Sequence, residues 1–391
     1  MHDDIICFNG MDNCETDDAA AQILSTNTYT GTTTVMPSFY DRCDPSNLTS
    51  FNCTKEEFLF YSRGDDVASM WLTMPVTTSY TLILLAGIIG NLTVCSIIIR
   101  NRSMHTTTNY YLFNLAIADL LYLLLGLPFE IYMFWNQYPW PFSSEFCKCR
   151  TLLSDSCTYA SVLTIVAFSV ERYIAICHPL CSYVMDNLKR VVYVIALIWI
   201  FSFLSATPVA LNRYVHFVRY PPPNGPEIPE SGICTLDTSF KGLYEMSTLI
   251  FFVIPLVILI IMYTQIASKL NSREENRNNG QLGESSNAKT KTKHLKSKKR
   301  VIRMLHCIVV TFFISWAPFH AQRLVFIYGK DWNNYDQINE FLFTIAGVFY
   351  YMSCTINPII YNVMSHRYRK AFRQTFCCQE NGSQTTTQTQ F

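Results

Sequence analysis

Long apolar runs without Asp, Glu, Lys or Arg recur along most of the chain. Five of them reach the roughly 18 residues that a membrane-spanning helix needs, and two more contain a single acid each, Asp119 or Asp155. Core helices of soluble proteins average about 11–12 residues, so a large soluble protein is the weaker explanation. The pattern predicts an all-α membrane protein with seven spans, at residues 76–99, 110–134, 147–175, 191–211, 244–268, 300–328 and 339–363.

The segments between and beyond the spans carry unequal charge. The loop before the sixth span is rich in Lys, and Arg367, Arg369 and Lys370 follow the seventh span, whereas the N-terminal residues 1–73 are acidic. Positive charge is retained on the cytosolic side of a membrane, and an odd number of spans separates the two ends. We therefore expect a plasma-membrane protein with an extracellular, mostly disordered tail at 1–73, a bundle at 74–364 and a cytosolic C-terminus.

Composition and short motifs agree with this topology. Only 15% of the residues are charged, against about 25% in soluble domains, and the net charge of +1 argues against a nucleic-acid partner. Asn47 and Asn52 begin glycosylation sequons in the outer tail. We expect residues 271–292 to be disordered. On the inner leaflet we expect an amphipathic helix at 365–378 that contacts membrane lipids, and then a Ser/Thr-rich tail at 379–391.

Three polar residues lie in the middle of predicted spans. Asp119, Asn91 and Asn357 are costly at membrane depth, so their presence indicates a function. We expect them to line one hydrated cavity, with a sodium ion near Asp119 as the candidate cation and no other cofactor. A polar contact between helices is the structural alternative.

Charged residues also lie near the outer ends of the spans. Glu130 follows Asp119 by eleven residues, which returns it to nearly the same helix face about 16 Å higher. Asp155 lies in the outer part of the third span, and Arg323 lies two turns above Trp316. This arrangement predicts a polar pocket for a charged ligand, with an internal ion pair among the three as the alternative.

Every predicted span contains a motif that resembles the rhodopsin-like G-protein-coupled receptors, and the resemblance covers Met74 to Cys378. Longer segments, such as NRSMHTTTNYYLFNLAIADLLYLLLGLPFEIY, are similar to the neuromedin U receptors and the invertebrate pyrokinin and CAPA-type receptors. Ser154 stands where an amine receptor normally has Asp, which disfavours an amine ligand. The motifs, in order, are Gly90-Asn91, Asp119 in LAIADL, Glu171-Arg172-Tyr173, Trp199, Pro255 with Tyr263, FFISWAP with Phe312, Trp316 and Pro318, and NPIIY at 357–361.

The resemblance implies a receptor rather than an enzyme, and its ligand class is amidated peptides ending in Pro-Arg-X-amide. Its intracellular partners are a heterotrimeric G protein, expected to be of the calcium-mobilising class, a receptor kinase and arrestin. Glu130 and Asp155 match the acids that meet the ligand arginine. The remaining predicted ligand contacts are Trp316, Phe319, His320, Arg323 and Tyr351, and the predicted coupling and switch residues are Glu171, Arg172, Tyr173, Tyr263, Pro318, Asn357, Pro358 and Tyr361.

Several cysteines have predicted roles. Cys147 precedes Arg172 by about 37 Å of helix, which places it at the outer end of the third span. We predict that it pairs with Cys234 in the following outer loop, as the resemblance also implies, and Cys43 with Cys53 is a second candidate pair. Cys377 and Cys378 are candidate palmitoylation sites, with unmodified thiols as the alternative.

Two other functions compete with this interpretation. One is a receptor of the same family for a different peptide or a non-peptide ligand, and the residues do not choose between pyrokinin and CAPA-type peptides. The other is a seven-span transporter or channel. The two halves of the chain show no evident internal repeat, which counts against a transporter.

Overall fold

The computed structural model describes residues 39–46, 51–178, 187–237, 242–279, 286–329 and 331–376. The predicted sites Asn47, Cys377 and Cys378 lie outside these residues, as do the expectations for residues 1–38 and 379–391.

The described chain is an all-α bundle with one small hairpin at its predicted outer end. Six stretches are long and apolar enough to cross a membrane, and the predicted sixth span is the second half of a further helix that packs into the same core. Two short helices, α1 (Phe39–Cys43) and α2 (Lys55–Arg63), precede the bundle. The others are α3 (Met70–Arg100), α4 (Thr107–Trp135), α5 (Ser144–Cys177), α6 (Leu188–Leu211), α7 (Gly242–Thr248), α8 (Ile254–Asn279), α9 (Ser286–Tyr328), α10 (Tyr335–Met364) and α11 (His366–Phe376).

Two segments are more ordered than the sequence predicts. α8 continues to Asn279 and α9 begins at Ser286, so the expectation of disorder across residues 271–292 is wrong for most of that loop. Within it, REENR at 273–277 and AKTK at 288–291 consist mostly of residues that favour helix, although Asn, Ser, Gly and Thr are more numerous in the loop as a whole. In the outer tail, α1 and α2 form where we expected little order.

Polar side chains tie the bundle together from inside, while its outer surface is apolar. Asn114 of α4 donates to the hydroxyl of Thr164 at 2.8 Å and accepts from the indole of Trp199 at 2.9 Å, which joins α4, α5 and α6. Large apolar residues such as Ile89 and Leu204 are 66% exposed. A surface of this kind is suited to lipid and unsuited to water.

A π turn at Leu249–Val253 joins α7 to α8. The backbone N–H of Ile254 donates to the carbonyl of Leu249, five residues back, and the next residue is Pro255, which has no N–H. Because proline cannot continue the regular ladder, a widened turn is a common local solution. The turn changes the phase of this helix just where it reaches the outer half of the bundle.

The outer end of the bundle carries a two-stranded antiparallel hairpin, β1 (Arg213–His216) with β2 (Ile233–Leu236). Val215 pairs with Cys234 in its register. The predicted disulfide between Cys147 and Cys234 is present, and it joins the first turn of α5 to β2. Cys43 and Cys53 form a second disulfide. The hairpin is therefore held against the helices covalently.

Candidate ligand-binding and switch sites

A cavity of about 410 Å³ opens at the outer end of the bundle, beneath the hairpin. α4, α5, α9 and α10 form its sides, and β2 forms part of its roof. Both signs of charge face it: its acids are Glu130, Asp155 and Glu340, and its arginines are Arg63, Arg150, Arg213 and Arg323. Its volume is typical of a ligand-binding pocket, and its charges suit a ligand with a charged group.

Asp155 is the acid with unused hydrogen-bonding capacity. Its residue is 8% exposed, and its Oδ2 atom is buried without a hydrogen-bond partner. Arg323, Arg213 and Arg150 act on it electrostatically, yet none of them forms an ion pair with it among the described residues. A buried carboxylate in this situation stabilises a cation that can reach it.

Glu130, by contrast, is occupied. Its carboxylate pairs with the guanidinium of Arg150, and the side chains of both residues are 22% exposed. The same guanidinium lies 4.4 Å from the centroid of the Phe129 ring. The alternative to a ligand site is an ion pair among Glu130, Asp155 and Arg323. Glu130 instead pairs with Arg150, an arginine outside that set.

Arg323 and Phe319 also line the cavity, as predicted for ligand contacts. The guanidinium of Arg323 lies 4.0 Å from the ring centroid of Tyr244 and 5.0 Å from that of Phe319. Phe319 stacks on Tyr350 at 4.6 Å. These rings hold the arginine by cation–π contacts, and Asp155 acts on it electrostatically.

Three of the predicted ligand contacts do not reach this cavity. His320 is buried against Phe252, with its Nδ1 3.1 Å from the Thr248 hydroxyl. Tyr351 stacks on Tyr122 inside the bundle. It is the preceding residue of α10, Tyr350, that faces the cavity, and the helical phase near Pro358 is a feature that periodicity alone assigns poorly. Trp316 lies one level deeper, beneath Tyr350.

A second, smaller cavity of about 20 Å³ lies at the middle of the bundle. It has room for about one water molecule or small ion. The amide of Asn357 donates to Oδ2 of Asp119 at 3.0 Å, and Ser161, Ser353 and Trp316 also line the space. Asn91 is not part of the lining: it donates to the backbone carbonyls of Gly87 and Cys354, both at 2.9 Å. Asp119 and Asn357 are thus brought together, while Asn91 ties α3 to α10.

Glu171, Arg172 and Tyr263 lie at the end of the bundle opposite the hairpin, which the charge pattern predicts to be cytosolic. Glu171 is 5% exposed, pairs with Arg190 of α6 and accepts a hydrogen bond from Tyr111 at 3.1 Å. The guanidinium of Arg172 lies 5.8 Å from the centroid of the Phe168 ring. Tyr263 Oη lies 3.1 Å from Ser169 Oγ. Glu171 is therefore bound to α4 through Tyr111 and to α6 through Arg190, and both partners lie outside the motif Glu171-Arg172-Tyr173.

The remaining switch candidates lie on α5, α9 and α10. Tyr361 is buried with its hydroxyl unpartnered, and its ring contacts Tyr368 of α11. Tyr173 contacts His178 at the end of α5. Pro318 and Pro358 interrupt the backbone hydrogen bonds of α9 and α10. Bends are possible at both positions, one beside each cavity.

An N-terminal cap, residues 39–46 and 51–69, covers one side of the outer cavity. Arg63 at the end of α2 is 5% exposed and donates to Ser231 O at 3.0 Å and to His216 Nδ1 at 2.9 Å. Burial lowers the pKa of its guanidinium to about 10, so it remains charged at neutral pH. The Tyr220 hydroxyl donates to Cys53 O at 2.6 Å. These contacts place Arg63 in the cavity lining.

Sequence reasoning missed Arg63, Arg150, Arg213 and Tyr350 as cavity residues. Arg150 falls inside the predicted third span, and an arginine in a span is a usable signal. Arg63 and Arg213 lie outside the spans. Arg63 is placed by the packing of the tail on the loop between the two strands, and Arg213 donates a hydrogen bond to Tyr244 of α7. No local pattern predicts contacts between segments more than 150 residues apart.

Comparison with known proteins agrees with the geometry. Residues 90–361 match the family described as 7 transmembrane receptor (rhodopsin family). Neuromedin-U receptor 2 of Rattus norvegicus is 35% identical over 331 residues, which cover 83% of this chain and 80% of that receptor. The pyrokinin-1 receptor of Drosophila melanogaster is 36% identical over 352 residues, 77% of this chain and 79% of that receptor. A neuromedin U receptor homolog, nmur-2, of Caenorhabditis elegans is 36% identical over 343 residues, 82% and 83% of the two chains.

Proposed function

Because this chain belongs to the rhodopsin family of seven-transmembrane receptors, we propose that it is a cell-surface receptor for an amidated neuropeptide ending in Pro-Arg-X-amide. The family consists of receptors, not enzymes. The observation that carries the ligand class is the buried Asp155, which lines the outer cavity and has a carboxylate oxygen without a hydrogen-bond partner. A ligand guanidinium would supply the planar hydrogen-bond donors that this oxygen lacks.

The two cavities lie one above the other and share residues. Tyr350 and Tyr122 line both of them, and Trp316 contacts Tyr350 at a ring-centroid distance of 4.7 Å. A ligand that moves Tyr350 therefore changes the packing of Trp316 and the space beside Asp119. The ligand favours signalling to the extent that it binds the rearranged bundle better than the resting one.

The partners on the other side follow from the same proposal. The cytosolic end, with Arg172, Tyr263 and Tyr361, activates a heterotrimeric G protein of the calcium-mobilising class, and the C-terminal tail recruits a receptor kinase and arrestin. The N-terminus is extracellular and glycosylated at Asn47 and Asn52. α11 lies on the inner leaflet, with Cys377 and Cys378 as palmitoylation sites. The side-chain oxygens of Ser161, Ser353 and Asn357 line the small cavity beside Asp119. They suit a sodium ion, which would neutralise that acid.

A calcium assay on cells that express the full chain tests the ligand class. We expect responses to peptides ending in Pro-Arg-X-amide, and a loss of about 10- to 100-fold in potency when citrulline, which is uncharged and nearly isosteric, replaces the arginine. The free C-terminal acid serves as the control for the amide. Responses only to peptides without arginine, or to no peptide, would refute the ligand class and leave the family assignment intact.

The Glu171–Arg190 pair gives a prediction for the switch. In Arg190→Gln, the buried Glu171 carboxylate loses its cation from α6, so we expect it to attract Arg172, the next residue in the chain. Signalling without ligand should fall about two- to tenfold, measured as inositol phosphate accumulation per receptor at the surface. Tyr111→Phe, which removes a neutral partner of Glu171, is the matched control and should change the ligand-independent signalling less. Raised basal signalling in Arg190→Gln would contradict the prediction.

A further inference from the structure

Arg150 is a cavity residue whose contacts the proposed function does not use. It stands in the second turn of α5, and its guanidinium pairs with Glu130 of α4. It also lies 4.4 Å from the Phe129 ring centroid, while its Nε atom is buried without a partner. An acid beside an aromatic face is the chemistry by which proteins bind a guanidinium.

The two acids deep in the cavity therefore differ in state. Glu130 already holds a guanidinium, and Asp155 has an oxygen without a partner. Arg150 is close enough to act on Asp155 electrostatically as well. A cationic ligand can use Asp155 at once, but it can reach Glu130 only when Arg150 leaves.

We propose that Arg150 is a specificity-determining residue that acts as an internal substitute for the ligand guanidinium at Glu130, and that a ligand displaces it to engage this acid. The proposal rests on the proposed function for the identity of that ligand. Exchange is open to a ligand because both side chains are 22% exposed, so water can reach the charges while the partners change. The exchange also favours a ligand arginine over a ligand lysine, because an ammonium cannot reproduce the planar contacts with Glu130 that Arg150 gives up.

The first experiment needs no peptide. The full-length receptor is purified as Arg150→Ala and as Arg150→Ala/Glu130→Gln, and its melting temperature is measured with ethylguanidinium or ethylammonium at equal concentration. We expect ethylguanidinium to raise the melting temperature of Arg150→Ala but not that of the double variant, because a ligand that binds the folded state stabilises it. Ethylammonium should raise neither melting temperature as much. An equal shift in both variants, or none in either, would overturn the assignment of a guanidinium site at Glu130.

The second experiment uses a labelled octapeptide ending in Pro-Arg-Leu-amide and its citrulline analogue. Arg150→Gln should bind the arginine peptide about three- to tenfold more tightly than the unchanged receptor. The gain should disappear for the citrulline peptide and in the Glu130→Gln background. Equal losses for both peptides would overturn the proposal and make Arg150 a supporting residue. If the unchanged receptor binds neither peptide, the proposed ligand is wrong, and the ethylguanidinium result alone decides the role of Arg150.

Discussion

A receptor in which Cys147 and Cys234 are both replaced by Ser should lose high-affinity ligand binding. The disulfide fixes β2 to the first turn of α5, and β2 contributes Ile233, Thr235 and Leu236 to the cavity roof. It closes a long loop, since the two cysteines are 87 positions apart in the sequence, and a stabilisation of about 2–5 kcal/mol is typical of such a link. Without it the roof is held by noncovalent contacts alone. We expect saturation binding on intact cells to fall by more than about tenfold in affinity.

The double variant avoids leaving a reactive thiol at either position. Cys149→Ser is the matched control, because Cys149 lies two residues after Cys147 in α5 and is a free, exposed thiol. It should bind ligand as the unchanged receptor does. Antibody staining of an N-terminal tag separates lost affinity from lost delivery to the surface. Unchanged affinity in the double variant would mean that the hairpin holds its position without the covalent link.

Reversal of the buried acid, Asp155→Lys, should have an effect at least as large. The new ammonium would face Arg323, Arg213 and Arg150, the three cations that already act on this position. It would also repel the ligand guanidinium, for which desolvated charge contacts are worth about 2–5 kcal/mol. We expect the potency of an arginine peptide in the calcium assay to fall about 100-fold or more.

The ligand analogue separates repulsion from misfolding. The citrulline peptide carries no charge at this residue, so Asp155→Lys should weaken it far less than the arginine peptide. Glu145→Lys is the matched control on the same helix: its side chain is 75% exposed at the start of α5 and contacts only Lys148 among the ion pairs of the described residues. Equal losses for both peptides in Asp155→Lys would indicate a damaged fold instead.

Apolar run length and the cost of polar groups in lipid were enough to predict the bundle and its deep polar residues. Those properties belong to single segments, so one sequence reveals them. Asp119 meets Asn357, and Glu130, Asp155 and Arg323 share one cavity, because each position follows from depth and helix face alone. Helix length and the family resemblance together predicted the Cys147–Cys234 pair, which is present, and the resemblance also suggested the ligand class that we propose.

What the sequence did not predict depends on contacts between distant segments or on helix phase. The choice between Tyr350 and Tyr351 is a rotation of one residue, about 100°, and a proline-containing helix does not keep an ideal phase over that distance. The partner of Glu130 required knowing that α4 and α5 bring Arg150 within reach of it. The partner of Glu171 was likewise on another helix, at Arg190.

The N-terminal cap has a consequence for how this receptor is produced and compared. Shortening the tail is a routine step in preparing membrane proteins, and a deletion ending at residue 38 leaves every described contact of the cap in place. A deletion that reaches the start of α3 removes Arg63 and Ala68, two residues of the pocket wall. Affinities from such a shortened protein would describe a different binding site, however well its seven helices fold.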